Sequence, residues 1–244
     1  MIALLALTAA HAAEFSPSPD LGPEEQLVLE RLNSIRADPP GWMRAYRAQL
    51  DTPQLSGACD EGPEILKPLR RYEARPPLAP DTRLIAAAEL HAADMVERAY
   101  FGHVSPEGVG PNERIRAQGL DLRATAVEGR SRYSYSPEPG GNQTESLYMA
   151  ETWSTGERPP LLLRQWQEAV DALIADACVP DRGHREHLLG RTPLGEKDRL
   201  VGVGYAVTDT APDRDERWSG WAMKLAITTA VPDDETYYLV GVAW

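Results

Sequence analysis

Apolar residues in the first half of the chain recur at helical spacing. Pro23 suits the first position of a helix, and Pro39-Pro40 ends that helix. The apolar side of this first helix consists of Leu27, Val28, Leu32 and Ile35. The same kind of pattern predicts further helices at Gly41–Leu50, from a cap at Asp81 to about Tyr100, at Glu113–Gln118, at Leu161–Ala175 and, as a short turn, at Arg185–Leu189.

From Thr144 onward the apolar period changes to two, which predicts strands. The predicted strands are 144–154, 200–207, 221–228 and 236–244. Residues 51–80 are rich in proline and are predicted to be mostly a loop with a helical turn near Ile65, and residues 121–143 are predicted to be a long surface connection. Loops of this size favour an antiparallel sheet over parallel crossovers, so helices followed by strands indicate the α+β class.

The first of these strands contains two carboxylates on its apolar side. Glu145 and Glu151 share the parity of Leu147, Met149 and Trp153. A carboxylate buried among such side chains needs a cation, a metal ion or a proton, because leaving it unpaired costs several kcal/mol. The alternative is that the strand ends fray and both glutamates reach water. The pattern alone leaves both interpretations open.

Composition and charge exclude some classes of function. The chain has 244 residues and a formal net charge of −12, with charged residues at 25%. This acidic balance argues against a nucleic-acid groove or a surface for anionic membranes, both of which need basic stripes. No apolar run approaches the roughly 20 residues that span a bilayer. The 21 prolines predict long rigid connections between few regular elements.

Residues 1–12 are predicted to be a signal peptide. The segment is short and apolar, and it ends in Ala10-His11-Ala12, the small-x-small pattern of a signal-peptidase site. It lacks a positive amino-terminal region, so an ordinary buried stretch is the alternative. Export to the cell exterior or the periplasm would allow Cys59 and Cys178 to pair in an oxidising compartment. Two buried free thiols are the other interpretation of these cysteines.

Histidines supply the candidate chemistry. His103 lies in a turn just past a helix end, and His184 and His187 are three residues apart on one helical face, whereas His91 is predicted to be a packed or surface residue. A His-x-x-His pair needs further ligands from elsewhere to hold zinc, and His103 with a strand carboxylate could provide them. Ser105 lies two residues from His103, which keeps a Ser/His hydrolase open as an alternative.

Several phrases match one family in order and spacing. They are LNSIRADP at 32–39, PLAPD at 77–81, YFGHVSPEG at 100–108, VPDRGHR at 179–185 and VGVG at 201–204. Together they resemble the SCP-like or CAP domain, the superfamily of cysteine-rich secretory proteins, antigen 5 and pathogenesis-related proteins, in its bacterial extracellular form. The resemblance covers about residues 25 to 230. We expect one such domain over residues 22–244.

The resemblance implies a three-layer α-β-α sandwich with a central antiparallel sheet. It also implies an open cleft lined by two histidines and two acidic residues, which in some members binds zinc or another divalent cation. His103 and His184 match the two histidines, and His187 is an alternate for the second. A carboxylate in such a cleft can either bind the metal or orient an imidazole.

The acidic positions are less clear, because the Gly-Glu-Asn phrase of the family is degraded here. Ala150-Glu151-Thr152-Trp153 is the preferred match, so Glu151 takes the first acidic role and Glu145 is the alternate. For the second acidic position the chain offers Asp176 or Glu168. A disulfide between Cys59 and Cys178 is also predicted.

The resulting expectation is a secreted binding module for a lipid, a sterol or a protein, with a divalent cation in its cleft. One alternative is a metal-assisted or Ser/His-assisted hydrolase, such as a peptidase. Another is a non-catalytic exported domain in which the histidines and acids only stabilise the fold. No nucleic-acid partner and no transmembrane segment are expected.

Overall fold

The helices begin and end close to their predicted positions. The structure, a computed structural model, describes residues 21–49, 61–154, 163–211 and 219–233. Its α-helices are α1 (Pro23–Ala37), α2 (Pro39–Gln49), α3 (Thr82–Glu97), α4 (Pro111–Ala117), α5 (Leu163–Ala175) and α6 (Gly183–Leu188). There are also two 3₁₀ helices in the described residues, Pro63–Arg71 between α2 and α3 and Gly195–Lys197 after α6. Within this part of the chain, no helix is long and apolar enough to cross a membrane.

Local sequence signals explain the helix starts. The side chain of Asp81 accepts hydrogen bonds from the backbone N–H groups of Arg83 and Leu84, as an N-cap does. Pro23 and Pro39 each occupy the first position of a helix, where the missing N–H is not needed. The prolines at 39 and 40 therefore both end α1 and begin α2.

The predicted strands at 144–154, 200–207 and 221–228 are confirmed. The strands are β1 (Ala79–Pro80), β2 (Thr125–Glu128), β3 (Ser131–Ser134), β4 (Glu145–Ser154), β5 (Leu200–Ala211) and β6 (Ser219–Ala230). The strand predicted at 236–244 lies outside the described residues. The prediction of a plain connection over 121–143 was wrong, because β2 and β3 form an antiparallel hairpin there. All four residues of β3 are exposed, so the sequence shows no apolar alternation.

The main sheet has the strand order β1-β5-β6-β4. The long strands β4, β6 and β5 are antiparallel as predicted, but the two-residue β1 runs parallel to β5, so the sheet is mixed. The backbone of Ala79 donates to Arg199 O at 2.8 Å, and that of Asp81 donates to Val201 O at 3.0 Å. These bonds fix the start of α3 against the edge of the sheet.

Helices cover both faces of the sheet, which gives the expected α-β-α sandwich in the α+β class. On one face, β5 presents Gly202 and Gly204 to the backbone of α3. On the other face, Val201 and Val203 pack into a core that includes buried residues of α1, α2, α5 and α6. Strand β5 therefore has glycines on the face where the backbone of α3 packs closely, and branched apolar residues on the face that packs into the opposite layer.

Strand β4 likewise has neighbours on both faces. Leu147 packs with Ala88 and Met95 of α3, whereas Tyr148 and Ala150 pack against the core of the opposite layer. The interpretation of β4 as a strand with one apolar face was therefore incomplete. Glu145 lies at its first position, on the α3 side of the sheet, where the strand meets the loop that follows α3.

Candidate functional site

One cavity brings the two predicted histidines together. His103 and His184 both line a cavity of about 550 Å³ at the start of β4. The loop after α3 supplies His103, the start of β4 supplies Glu145 and Ser146, and α6 supplies His184 and His187. Three elements distant in sequence therefore meet at one concave site.

The first histidine is held by a buried carboxylate. His103 Nδ1 lies 3.0 Å from Glu145 Oε1, and the Glu145 side chain is only 1% exposed. The guanidinium of Arg114 donates to both carboxylate oxygens, at 3.0 and 2.8 Å, and also to the backbone oxygen of His103 at 2.9 Å. Because the carboxylate accepts at Nδ1, the neutral imidazole of His103 carries its proton there and keeps a lone pair on Nε2.

The second histidine is held in the same way. His184 Nδ1 lies 2.8 Å from Asp176 Oδ1, and the other oxygen of Asp176 accepts from the backbone N–H of Arg185 at 3.2 Å. Asp176 follows the last residue of α5 in the left-handed region, with a φ of 51°, and this backbone turn directs the chain towards α6. The site therefore contains two carboxylate–imidazole pairs, each with its Nε2 lone pair available.

His187 lies at the buried floor of the cavity. Its Nδ1 is 2.8 Å from the hydroxyl of Ser146, and its Nε2 is 2.8 Å from the hydroxyl of Thr229. The Thr229 hydroxyl donates to the carboxylate of Asp198, so Nε2–H donates to Thr229 and Nδ1 accepts from Ser146. Burial lowers the pKa of His187 to about 3 and raises the pKa of Asp198 to about 6. His187 is thus a neutral link between β4 and β6.

These two opposed pKa shifts predict opposite pH dependences. Protonation of His187 is less favourable in the folded state than in the unfolded state. This residue therefore lowers the free energy of unfolding as the pH falls from 6.5 towards 3. Asp198 instead binds its proton more readily when folded, so it adds stability as the pH falls from about 6 to 3.8. Between about pH 6 and pH 3.8 the contributions of His187 and Asp198 to stability oppose each other in the wild type. Relative to the wild type, we expect His187→Gln to gain stability on acidification and Asp198→Asn to lose it, each by up to about 1.4 kcal/mol per pH unit.

Urea denaturation of the three proteins at several pH values between 6.5 and 4 measures this difference. Parallel stability curves for His187→Gln and the wild type would contradict the assignment of His187 as a buried neutral group.

Two of the predicted acids lie elsewhere. Glu151 pairs with Ala222 across the sheet. At about 3.3 Å per residue its backbone is about 20 Å along β4 from Glu145, which is too far for a shared site. The side chain of Glu151 lies outside the described part of the chain. Glu168 is exposed on α5, and its negative charge, after burial, contributes to raising the pKa of Tyr148. Glu145 and Asp176 are therefore the acids that contact the two histidines.

Ser105 and His103, whose proximity kept a Ser/His hydrolase open as an alternative, both lie in the described part of the chain and share no hydrogen bond there. The hydroxyl of Ser105 instead accepts from the backbone N–H of Val109 at 3.3 Å, within its own turn. His91, predicted to be either a packed or a surface residue, is buried. Its Nε2 lies 3.0 Å from Gly102 O and 3.8 Å from Glu145 Oε1. It therefore supports the loop that carries His103.

Sequence reasoning missed Arg114 and Ser146. The requirement for a cation beside a buried Glu145 was a usable signal, but nothing in the sequence marked Arg114 as that cation. Cys178 is disulfide-bonded, and its φ of 66° places it in the left-handed region. Cys59 lies outside the described residues, so the predicted pairing of Cys59 with Cys178 stays a prediction.

A comparison with protein families agrees with the resemblance in the sequence. A family model described as "CAP: Cysteine-rich secretory protein family" matches residues 29–192. The match covers more than half of the chain, which therefore belongs to the cysteine-rich secretory protein (CAP) family.

Among solved structures, the chain is similar to the 1.5 Å crystal structure of an extracellular protein containing a SCP domain from Bacillus anthracis str. Ames. The two share 15% identity with a TM-score of 0.36, and the match covers 85% of this chain and 44% of that chain. None of the curated proteins compared matches this sequence.

Proposed function

We propose that this CAP-family chain is a secreted binding module, and that its ligand occupies the cavity between His103 and His184. The observation that carries the proposal is the pairing of each histidine with a buried carboxylate on the wall of one cavity. Such pairs hold the imidazoles in fixed orientations, with Nε2 free to accept a proton or to bind a cation.

The donor atoms are of the kind that a divalent cation such as zinc prefers. Neutral imidazoles are common zinc ligands, and a carboxylate that accepts the other ring N–H fixes the tautomer this requires. His103 and His184 would hold the ion, while Asp176 and Glu145 orient them. Glu145 is already bound by Arg114, which makes it an orienting group rather than a ligand.

Further coordination positions would be open to water or to the ligand. Among the side chains that the structure describes, no group of three or more His, Cys, Asp or Glu residues is placed to hold a metal ion. A bound cation would supply Lewis acidity at the polar end of the ligand.

The size and lining of the cavity support an amphipathic ligand. Its volume of about 550 Å³ falls within the roughly 300–1,000 Å³ of typical small-molecule sites. Val179, Pro193 and Leu194 contribute apolar surface to the cavity that the polar histidine pairs also line. A lipid or sterol with a polar head, or a side chain of a partner protein, fits this combination. The disulfide at Cys178 supports secretion, since such bonds persist in oxidising compartments.

Zinc titration tests the role of the two histidines. We expect the wild type to bind zinc, and His103→Ala and His184→Ala to weaken binding at least tenfold because each removes an Nε2 ligand. Asp176→Asn should weaken it by about tenfold, since loss of an orienting partner costs 10–100-fold in affinity. Calorimetry with zinc chloride at pH 7.5 measures each affinity.

Val179→Ala is the matched control, because it changes the lining of the same cavity without touching a donor atom. Failure of the wild type to bind zinc would remove the cation from the proposal. Equal affinities in the wild type and both histidine variants would place any bound zinc elsewhere.

A Ser/His-assisted hydrolase is the second candidate, because the Ser146 hydroxyl donates to His187 in the same cavity. The low pKa of His187 weighs against it, since a general base must accept a proton during the reaction. Turnover of peptide or ester libraries that is lost in Ser146→Ala, but kept in the presence of a chelator, would favour this candidate over the binding module.

A further inference from the structure

A second concave surface, separate from the histidine cavity, is lined mainly by cations. Lys67, Arg70, Arg71 and Arg191, together with Pro68 and Tyr72, surround a space of about 420 Å³. We call it the basic groove. It shares no lining residue with the histidine cavity. In a chain with a formal net charge of −12, such a concentration of positive charge is unexpected.

The 3₁₀ helix Pro63–Arg71 supplies three of these cations. With three residues per turn, side chains three apart eclipse each other, so Lys67 lies beside Arg70 and Pro68 beside Arg71. The helix ends at Arg71, and the backbone N–H of Tyr72 donates to Leu69 O at 3.2 Å. Lys67 and Arg70 from one row of this helix, and Arg71 from the adjacent row, line the groove.

Arg191 enters the groove from the turn after α6. Its backbone N–H donates to Glu186 O at 2.7 Å, and its guanidinium carbon lies 4.6 Å from the centre of the Tyr72 ring. The Tyr72 hydroxyl donates to the Glu186 carboxylate, which fixes the ring. A guanidinium stacked on an aromatic face keeps its N–H edges free for a further partner.

Three of these cations have no carboxylate partner. Within the described ranges, no carboxylate oxygen lies within 4.0 Å of the guanidinium of Arg70, Arg71 or Arg191, whereas Lys67 is paired with Glu64. Other arginines in the same structure are paired closely: the N–O distances are 2.7 Å for Arg83–Asp81, 2.5 Å for Arg98–Glu107 and 2.6 Å for Arg182–Glu61.

We propose that the basic groove binds a phosphate-type oxyanion, carried on a small soluble molecule or on a lipid headgroup. Guanidinium groups match the geometry of phosphate oxygens and bind them in pairs of parallel hydrogen bonds. An anion in the groove would be attracted by the positive charges of Arg70, Arg71 and Arg191. The volume of the groove falls within the roughly 300–1,000 Å³ of typical small-molecule sites.

Calorimetry with inorganic pyrophosphate, in low salt and with EDTA present, tests the soluble form. We expect saturable binding that weakens as salt is added, because ionic contacts between exposed groups are screened. The double variant Arg71→Gln/Arg191→Gln should bind at least tenfold more weakly. Arg130→Gln/Arg132→Gln is the matched control, since it removes the same charge from two exposed positions on and beside the β2–β3 hairpin.

Sedimentation with vesicles of phosphatidylglycerol or of phosphatidylcholine alone tests the lipid form. Binding to phosphatidylglycerol vesicles that is lost in the groove variant but kept in the hairpin variant would assign a lipid headgroup. Binding of pyrophosphate without vesicle binding would assign a soluble ligand. All altered residues are exposed, so the thermal unfolding midpoints should match that of the wild type.

The absence of binding in both arms would overturn the proposal, and so would equal losses in the groove and hairpin variants. His184→Ala should leave pyrophosphate binding unchanged. The outcome at the basic groove is therefore independent of the outcome at the histidine cavity.

Discussion

Replacing Glu145 with alanine is expected to lower the free energy of unfolding by about 3 kcal/mol, because it leaves a largely buried cation without its partner. The Arg114 side chain is 13% exposed and makes two hydrogen bonds to the Glu145 carboxylate, at 3.0 and 2.8 Å. His103 loses its carboxylate at the same time. The change should therefore destabilise the protein and also weaken zinc binding in the cavity.

Urea denaturation measures the loss, and two further variants isolate its cause. Glu107→Ala breaks an exposed pair with Arg98 that also has two hydrogen bonds, and it should leave the unfolding midpoint essentially unchanged. Glu145→Leu combined with Arg114→Leu should be more stable than Glu145→Ala, since removing both charges leaves neither of them unpaired. A Glu145→Ala variant as stable as the wild type would show that Arg114 is solvated rather than dependent on this carboxylate.

Replacing Gly204 with alanine is expected to destabilise the fold by roughly 3 kcal/mol or more, at the upper end of the cost of overpacking. A Cβ at Gly204 would lie 2.1 Å from the backbone nitrogen of Glu89 and 2.3 Å from the carbonyl carbon of Ala88. These are backbone atoms of α3, so no side chain can rotate to relieve the overlap. The helix itself would have to move away from β5.

Chemical denaturation of Gly204→Ala, with Gly102→Ala as the control, measures this effect. A Cβ at Gly102 would meet no atom within 4 Å, so the control substitution should change the stability little. Equal stability of the two variants would contradict the prediction that close packing of α3 on β5 requires glycine at position 204. A displaced α3 should also shift the loop that carries His103, which would couple this change to the histidine cavity.

The outcome for the two glutamates of β4 shows where sequence reasoning reached its limit. A period of two placed Glu145 and Glu151 on the same side of one strand, and it offered no means of choosing between them. The structure separates them by their position along the strand. Glu145 lies where β4 meets the loop after α3, beside His103 and Arg114, and Glu151 lies six residues further along.

The hairpin β2–β3 and the short parallel strand β1 were missed for related reasons. The residues of β3 are all exposed, so their pairing leaves no apolar pattern in the sequence. Strand β1 has only two residues and exists because Ala79 and Pro80 lie beside Leu200 and Val201. Pairing with a distant segment cannot be inferred from a two-residue stretch.

The sequence by itself determined the features that depend on neighbouring residues. Proline at the first position of α1, the Asp81 cap of α3 and the alternation in the long strands act within a few residues, so they can be recognised in the chain alone. The ordered phrases around His103 and His184 also identified the family. Only the tertiary structure decided that Glu145 and Asp176 hold these histidines and that Arg114 neutralises Glu145. Those contacts join residues that lie between 8 and 42 positions apart, and their geometry depends on how the layers pack around the sheet.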